Sequence, residues 1–185
     1  MKRVEIIYGG ASNEKEISYL TAKSIYEHID TDLYNPGLTD LSKFDPDNFD
    51  NETIFFIAVH GEGGEDGKIQ RLLENKKRKF TGSSSESCIL TWDKVATKRA
   101  LIANDILTPQ FKSIKNNEHF DFNDSFFAEN EHYFVKPNFN GSSYGISKVS
   151  DKKFNEALKE AKNYSTEVII EKSFNGPEYT VALLK

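Results

Sequence analysis

The stretch TIFFIAVHGEGGEDGKIQRLLE, from Thr53 to Glu74, sets the fold class. TIFFIAVH is a near-continuous apolar run, GEGGEDG is a glycine-rich turn, and Ile69, Leu72 and Leu73 then fall at helical spacing. A strand apolar on both faces suits a parallel sheet covered on both sides. The same order opens the chain: Val4 to Tyr8 (VEIIY) is stopped by Gly9-Gly10, and Ile17, Leu20, Ile25 and Ile29 mark a helix between Glu14 and Ile29. Asn13 with Glu16 three residues later predicts a capping box at its start. Two such units predict a parallel sheet. A third short strand around Phe80 runs into Thr81-Gly82-Ser83, and a helix over Lys94 to Ala103 ends before Pro109.

Composition bounds the function. At 185 residues with 37% apolar content the chain can build one ordinary domain or two small ones. Its net charge of −5 makes the whole molecule repel polyanions, so no nucleic-acid partner is expected and any anion site must be local. The single cysteine, Cys88, allows no internal disulfide and suits a reducing compartment, with the cytoplasm expected. No run is long enough for a signal-peptide core or a membrane span.

Beyond Pro109 the composition turns to Asn, Phe and acidic residues, so a boundary is expected between 105 and 112. A second unit follows: a strand from Tyr133 to Pro137, a glycine loop, a strand from Gly145 to Val149, then a helix on Phe154, Ala157, Leu158 and Ala161 behind an Asp151 cap. Thr166 to Lys172 reads as a further strand, and Tyr179 to Lys185 as the start of another.

The glycine clusters invite comparison with phosphate cradles. GEGGEDG fails the dinucleotide fingerprint because Asp66 stands where its third glycine belongs, and no GxxxxGK[ST] occurs. Gly141-Ser142-Ser143-Tyr144-Gly145 matches GxSxG, but a nucleophile elbow needs a helix directly after it, and β-prone Ile146 to Val149 follows instead. No histidine lies beyond His132, and His28, His60, His119 and His132 show no zinc spacing. Small residues between two strands suit a different role, because successive backbone N–H groups and serine hydroxyls can converge on an oxygen-rich anion, with Lys136 at the base. A plain hairpin with a solvated lysine is the ordinary reading of such a loop, and the loop alone does not decide. His60 is expected at the C-terminal edge of the sheet, where such sheets gather ligands. KKRK, Lys76 to Lys79, reads as the cationic last turn of the second helix.

Six segments together resemble the D-alanine–D-alanine ligases of the ATP-grasp superfamily: YGGASNEKEIS from Tyr8, AVHGEGGEDGKIQRLLE from Ala58, FTGSS from Phe80, WDKVATKRAL from Trp92, FVKPNFNGSSYGISKV from Phe134 and VIIEKSFNGPEYTVALL from Val168. The resemblance implies an α/β chain with a Rossmann-like, parallel-sheet domain over 1–108 and an incomplete α+β ATP-grasp domain over 109–185. It implies ATP as cosubstrate, with Lys94 and Lys136 on its phosphates and Gly141, Ser142 and Ser143 at the transferred phosphoryl group. Glu171, Lys172 and Phe174 fall at the adenine, and Glu178 at the ribose. Glu14 matches the carboxylate that pairs with the ammonium of the first D-alanine, Ser142 shares its hydrogen-bond network, and His60 lies near the substrate carboxylate.

The implied reaction phosphorylates one D-alanine and lets the amine of a second attack the acyl phosphate, for peptidoglycan synthesis. Mg2+ is expected on the ATP phosphates, but its family ligands fall beyond Lys185, so none is assigned here and this chain alone is expected to be inactive. A homodimer is implied for the complete enzyme. A non-catalytic nucleotide- or partner-binding module derived from such a ligase is the competing expectation. Asn140 stands where the family commonly has an acidic residue, and Asp105 where it has a helix-ending glycine, a left-handed position that Asp tolerates.

Overall fold

The computed structural model describes residues 1–116, 118, 126, 132–141, 144–150 and 153–182. They form two compact units: Met1–Ile106 with Asn138–Tyr144, and Leu107–Pro137 with Gly145–Lys185.

The first unit carries β1 (Lys2–Tyr8), α1 (Lys15–His28), β2 (Tyr34–Asp40), β3 (Ile54–Ile57), α2 (Lys68–Asn75), β4 (Lys79–Phe80), α3 (Ser85–Trp92) and α4 (Lys94–Ala103). Its strands are all parallel, in the order β2-β1-β3-β4. Alternate residues of one strand feed opposite faces. Val4 and Ile6 pack with Ala22 of α1, and Ile7 packs with Phe55, Val59 and α2 residues Ile69 and Leu73. The two crossover helices therefore cover opposite faces.

Three local expectations are corrected. The Asn13–Glu16 capping box is not made: α1 starts at Lys15 with Glu14 at its N-cap and no side-chain cap bond. Ser12 takes over that role, its hydroxyl accepting the Glu14 N–H at 3.3 Å and its carbonyl the Lys15 N–H at 3.2 Å. The apolar face of α1 also shifts, because small Ser18 and Ala22 make the close contact while Ile17 and Leu20 stay 53% exposed. KKRK lies after α2 rather than in its last turn. Arg78 is buried there and donates to the carbonyls of Phe49 and Asp50 and to the Asn51 side chain. Lys76 and Lys79 pair with Asp47 and Glu52.

The strand β2, sequence YNPGLTD, pairs with β1 over all seven residues despite its Pro-Gly. Pro36 is tolerated because β2 is an edge strand. Gly37 leaves room for the Arg3–Glu5 pair, since a Cβ there would lie 2.4 Å from Glu5 Oε2 and 2.1 Å from Arg3 Nη2 and both side-chain ends would have to shift. Buried Glu5 accepts from Arg3 Nη2 and from Thr39 Oγ1, both at 2.6 Å, which offsets its desolvation.

The second unit carries β5 (Phe111–Lys115), β6 (Tyr133–Pro137), β7 (Ser147–Val149), α5 (Phe154–Lys162) and β8 (Glu167–Lys172), in an antiparallel sheet ordered β5-β8-β6-β7. Tyr133, Val135, Val149, Val168 and Ile170 pack on Phe154, Ala157 and Ala161, so α5 covers one face. The Asp151 cap lies outside the described residues. The strand expected from Tyr179 is not formed over 179–182; 183–185 lie outside the described residues. Asp105 takes φ +56°, the left-handed value expected of it. No helix among the described residues is long and apolar enough to cross a membrane.

Candidate functional site

In the order β2-β1-β3-β4, the chain leaves β1 toward one edge and β3 toward the other, so the crevice beyond the carboxyl ends of β1 and β3 is the switch point where such sheets bind ligands. The two glycine turns meet there. Ser18 of α1 accepts the Gly9 N–H and donates to the Ala58 carbonyl, both at 2.8 Å, while Ser12 Oγ donates to the His60 carbonyl at 2.9 Å. These bonds tie α1 to both strand ends. Gly9 and Gly61 sit at φ +96° and +71°, conformations that a side chain would strain.

Glu14, at the head of α1, reaches over this crevice. Its Oε2 would lie 2.7 Å from a Cβ on Gly61 and 3.1 Å from one on Gly141. Glu65 Oε2 would lie 3.3 Å from that same position on Gly141. His60 is placed by Thr21 Oγ1, 3.0 Å from Nε2, and by Glu65 Oε1, 4.0 Å from Nδ1. The first unit thus brings Glu14, His60, Glu65 and Gly141 together. Two carboxylates over one glycine backbone suit a cationic group. Glu65 is not among the candidates that the sequence marks, although it lies within GEGGEDG; the turn's geometry alone aims it back at His60. Asp66 holds that geometry by accepting the N–H groups of Gly63 and Lys68 at 3.1 and 3.0 Å.

Lys94 opens α4, and its ammonium donates to the carbonyls of Asn140 at 2.8 Å and Asn138 at 3.2 Å. Asn138 is fully buried: its Oδ1 accepts the Val95 N–H and its Nδ2 donates to the Asp93 carboxylate. These bonds hold Asn138 and Asn140 in the first unit although the chain boundary is expected at 108/109. Ser142 and Ser143 lie outside the described residues.

In the second unit Lys136 is ion-paired with Glu171, and its ammonium lies 5.2 Å from the centre of the Phe134 ring. Alternation places Lys172 on the opposite face, where its ammonium lies 5.5 Å from the Phe126 ring. Phe174, 70% exposed, and Glu178 lie in an irregular exposed segment. Among the described residues no group of three or more His, Cys, Asp or Glu side chains could hold a metal.

At the edge of the crevice Asp40 Oδ1 accepts the hydroxyl of Ser42 at 2.7 Å and its N–H at 2.9 Å. The hydroxyl, then the N–H, hold its pKa below the ordinary aspartate value against the opposing effect of burial, with Lys15 and Lys43 adding to the lowering. A depressed carboxylate stabilises the fold above its unfolded pKa, and that contribution is lost as pH falls through the folded value. In urea melts across pH, the advantage of wild type over Asp40→Asn is expected to be constant above about pH 4 and to shrink below it. Parallel curves down to about pH 2 would remove Asp40 from the acid response.

A family profile described as D-ala D-ala ligase C-terminus matches residues 101–185. The chain is 35% identical to a D-alanine–D-alanine ligase of Marinomonas sp. over 98% of its own length and 59% of that protein. It is 33% identical to one of Methylacidiphilum infernorum, over 99% of this chain and 58% of the relative. Among solved structures, the D-alanine–D-alanine ligase of Bacillus anthracis complexed with ATP superposes with a TM-score of 0.83 at 27% identity, covering 95% of this chain and 60% of that one. The chain spans about three fifths of the length of these relatives.

Proposed function

We propose that the chain supplies the first-substrate site and nucleotide flap of an enzyme joining two D-alanines at the expense of ATP, a reading supported by its similarity to D-alanine–D-alanine ligases over the residues it spans. The observation that carries this reading is the convergence of Glu14, Glu65 and His60 on the crevice beside Gly141. An amino acid presents an ammonium and a carboxylate. Glu14, supported by Glu65, offers the former an anionic partner, and His60 stands near enough to meet the latter. Lys136 on the sheet of the second unit and the glycine loop are the proposed phosphate contacts. The γ-phosphoryl group passes to the carboxylate of the first D-alanine, and the amine of the second displaces phosphate from the resulting acyl phosphate, forming the amide. Mg2+, where bound, would offset charge on the phosphates. The cytoplasm is the proposed compartment, in keeping with one unpaired cysteine, and a homodimer the proposed assembly of the whole enzyme.

Titrating the chain with D-alanine and separately with ATP, for wild type and Glu14→Gln, tests the reading. The amide keeps the shape and loses the charge, so D-alanine affinity is expected to fall about tenfold or more while ATP affinity stays within about twofold. Equal loss of both ligands would make Glu14 a folding residue. ATP binding with no measurable D-alanine binding would favour a nucleotide-binding module instead.

A further inference from the structure

We propose that Lys148 is a second phosphate-binding cation of the nucleotide face in the second unit; the inference rests on the ligase reading above. The strand register sets Lys148, Phe134, Glu171 and Phe111 side by side across β7, β6, β8 and β5. Tyr133, Val135 and Val149, the neighbours in sequence, point the other way into the core under α5. Lys136 lies two residues beyond Phe134 and so shares its face. Two ammonium groups therefore flank one ring: Lys136 at 5.2 Å and Lys148 at 5.8 Å from the Phe134 centroid, both within cation–π range.

Their electrostatic situations differ. Lys136 is partly shielded and ion-paired with Glu171, a carboxylate only 8% exposed. Lys148 is exposed, and its hydrogen bond goes to the neutral Asn175 amide oxygen at 3.4 Å. A long, weak bond to a neutral acceptor is readily exchanged for a phosphate oxygen, whereas a lysine held by a buried carboxylate must first give up that partner. Around Phe134 the two ammonium groups of Lys136 and Lys148 thus stand with the Glu171 carboxylate, a local positive balance that a polyanion would neutralise. Phe134 serves as the platform that keeps the Lys148 stem laid across the strand. The family resemblance alone points to Lys136; the hairpin register points to Lys148 as its partner.

The test measures the affinities of the full chain for ATP, ADP and adenosine in wild type, Lys148→Met and Lys148→Arg, with thermal melts of each. Lys148→Met is expected to weaken ATP and ADP about tenfold, to leave adenosine unchanged and to melt with wild type, while Lys148→Arg recovers most of the loss. Unchanged ATP affinity in Lys148→Met beside normal wild-type binding would overturn this inference and leave the ligase reading standing. Equal loss of ATP and adenosine, with a lowered melting temperature, would overturn it in favour of packing on Phe134. If wild type binds neither nucleotide nor nucleoside, the ligase reading fails and takes this inference with it.

Discussion

Phe55→Ala is expected to destabilise the first unit by about 3 to 5 kcal/mol, the usual cost of emptying a buried phenylalanine site. The ring is fully buried, and it meets Phe44 and Phe49 edge-on at centroid distances of 5.2 and 5.5 Å. The Arg78 guanidinium lies 5.3 Å from it while donating to the carbonyls of Phe49 and Asp50. Removing the ring therefore opens a cavity between β3 and α2 and also releases the 44–51 connection. Such a loss is a large share of the stability of an ordinary domain. Trp92, the single tryptophan, stands at the end of α3 in the same unit, so its fluorescence in urea reports the change. A midpoint unmoved from wild type would mean that the aromatic cluster is not the core of this unit. Phe55→Leu should recover most of the loss.

Gly64→Ala is expected to cost about 3 kcal/mol and, under the proposed function, to remove D-alanine binding as well. A Cβ on Gly64 would lie 2.2 Å from the Val59 carbonyl oxygen and 2.6 Å from Val59 Cβ, neither of which can swing aside as a flexible side chain would. The turn must then lift off the strand end, breaking the bond from Gln70 Nε2 to the Gly64 carbonyl and carrying Glu65 away from His60. Paired urea melts and D-alanine titrations separate the two effects. Wild-type affinity in a folded Gly64→Ala protein would show that Glu65 and the turn do not shape the site.

Local chemistry was enough to determine the β-turn-α units, the glycine turns that end β1 and β3, helix α4 from Lys94 to Ala103 and the strands β6 and β8, because each is written as periodicity over a short window. It was also enough to mark His60 and Lys136 as candidates, whereas Glu14 and Glu171 were marked by the family resemblance. Pairing partners are another matter. YNPGLTD shows no strand signal by itself and becomes β2 because β1 offers a parallel edge and the Arg3–Glu5 pair fills the space above Gly37. Segment 111–115 becomes β5 through β8 in the same way. Arg78 reads as a solvated helix end and is buried because three carbonyl or amide oxygens of the 49–51 connection surround it. Glu65 and Lys148 belong to this second class. Glu65 meets His60 through the path of one turn, and Lys148 meets Phe134 through the register of one hairpin, so neither contact is encoded by the residues beside it; each depends on groups distant in sequence that only the folded chain brings within reach.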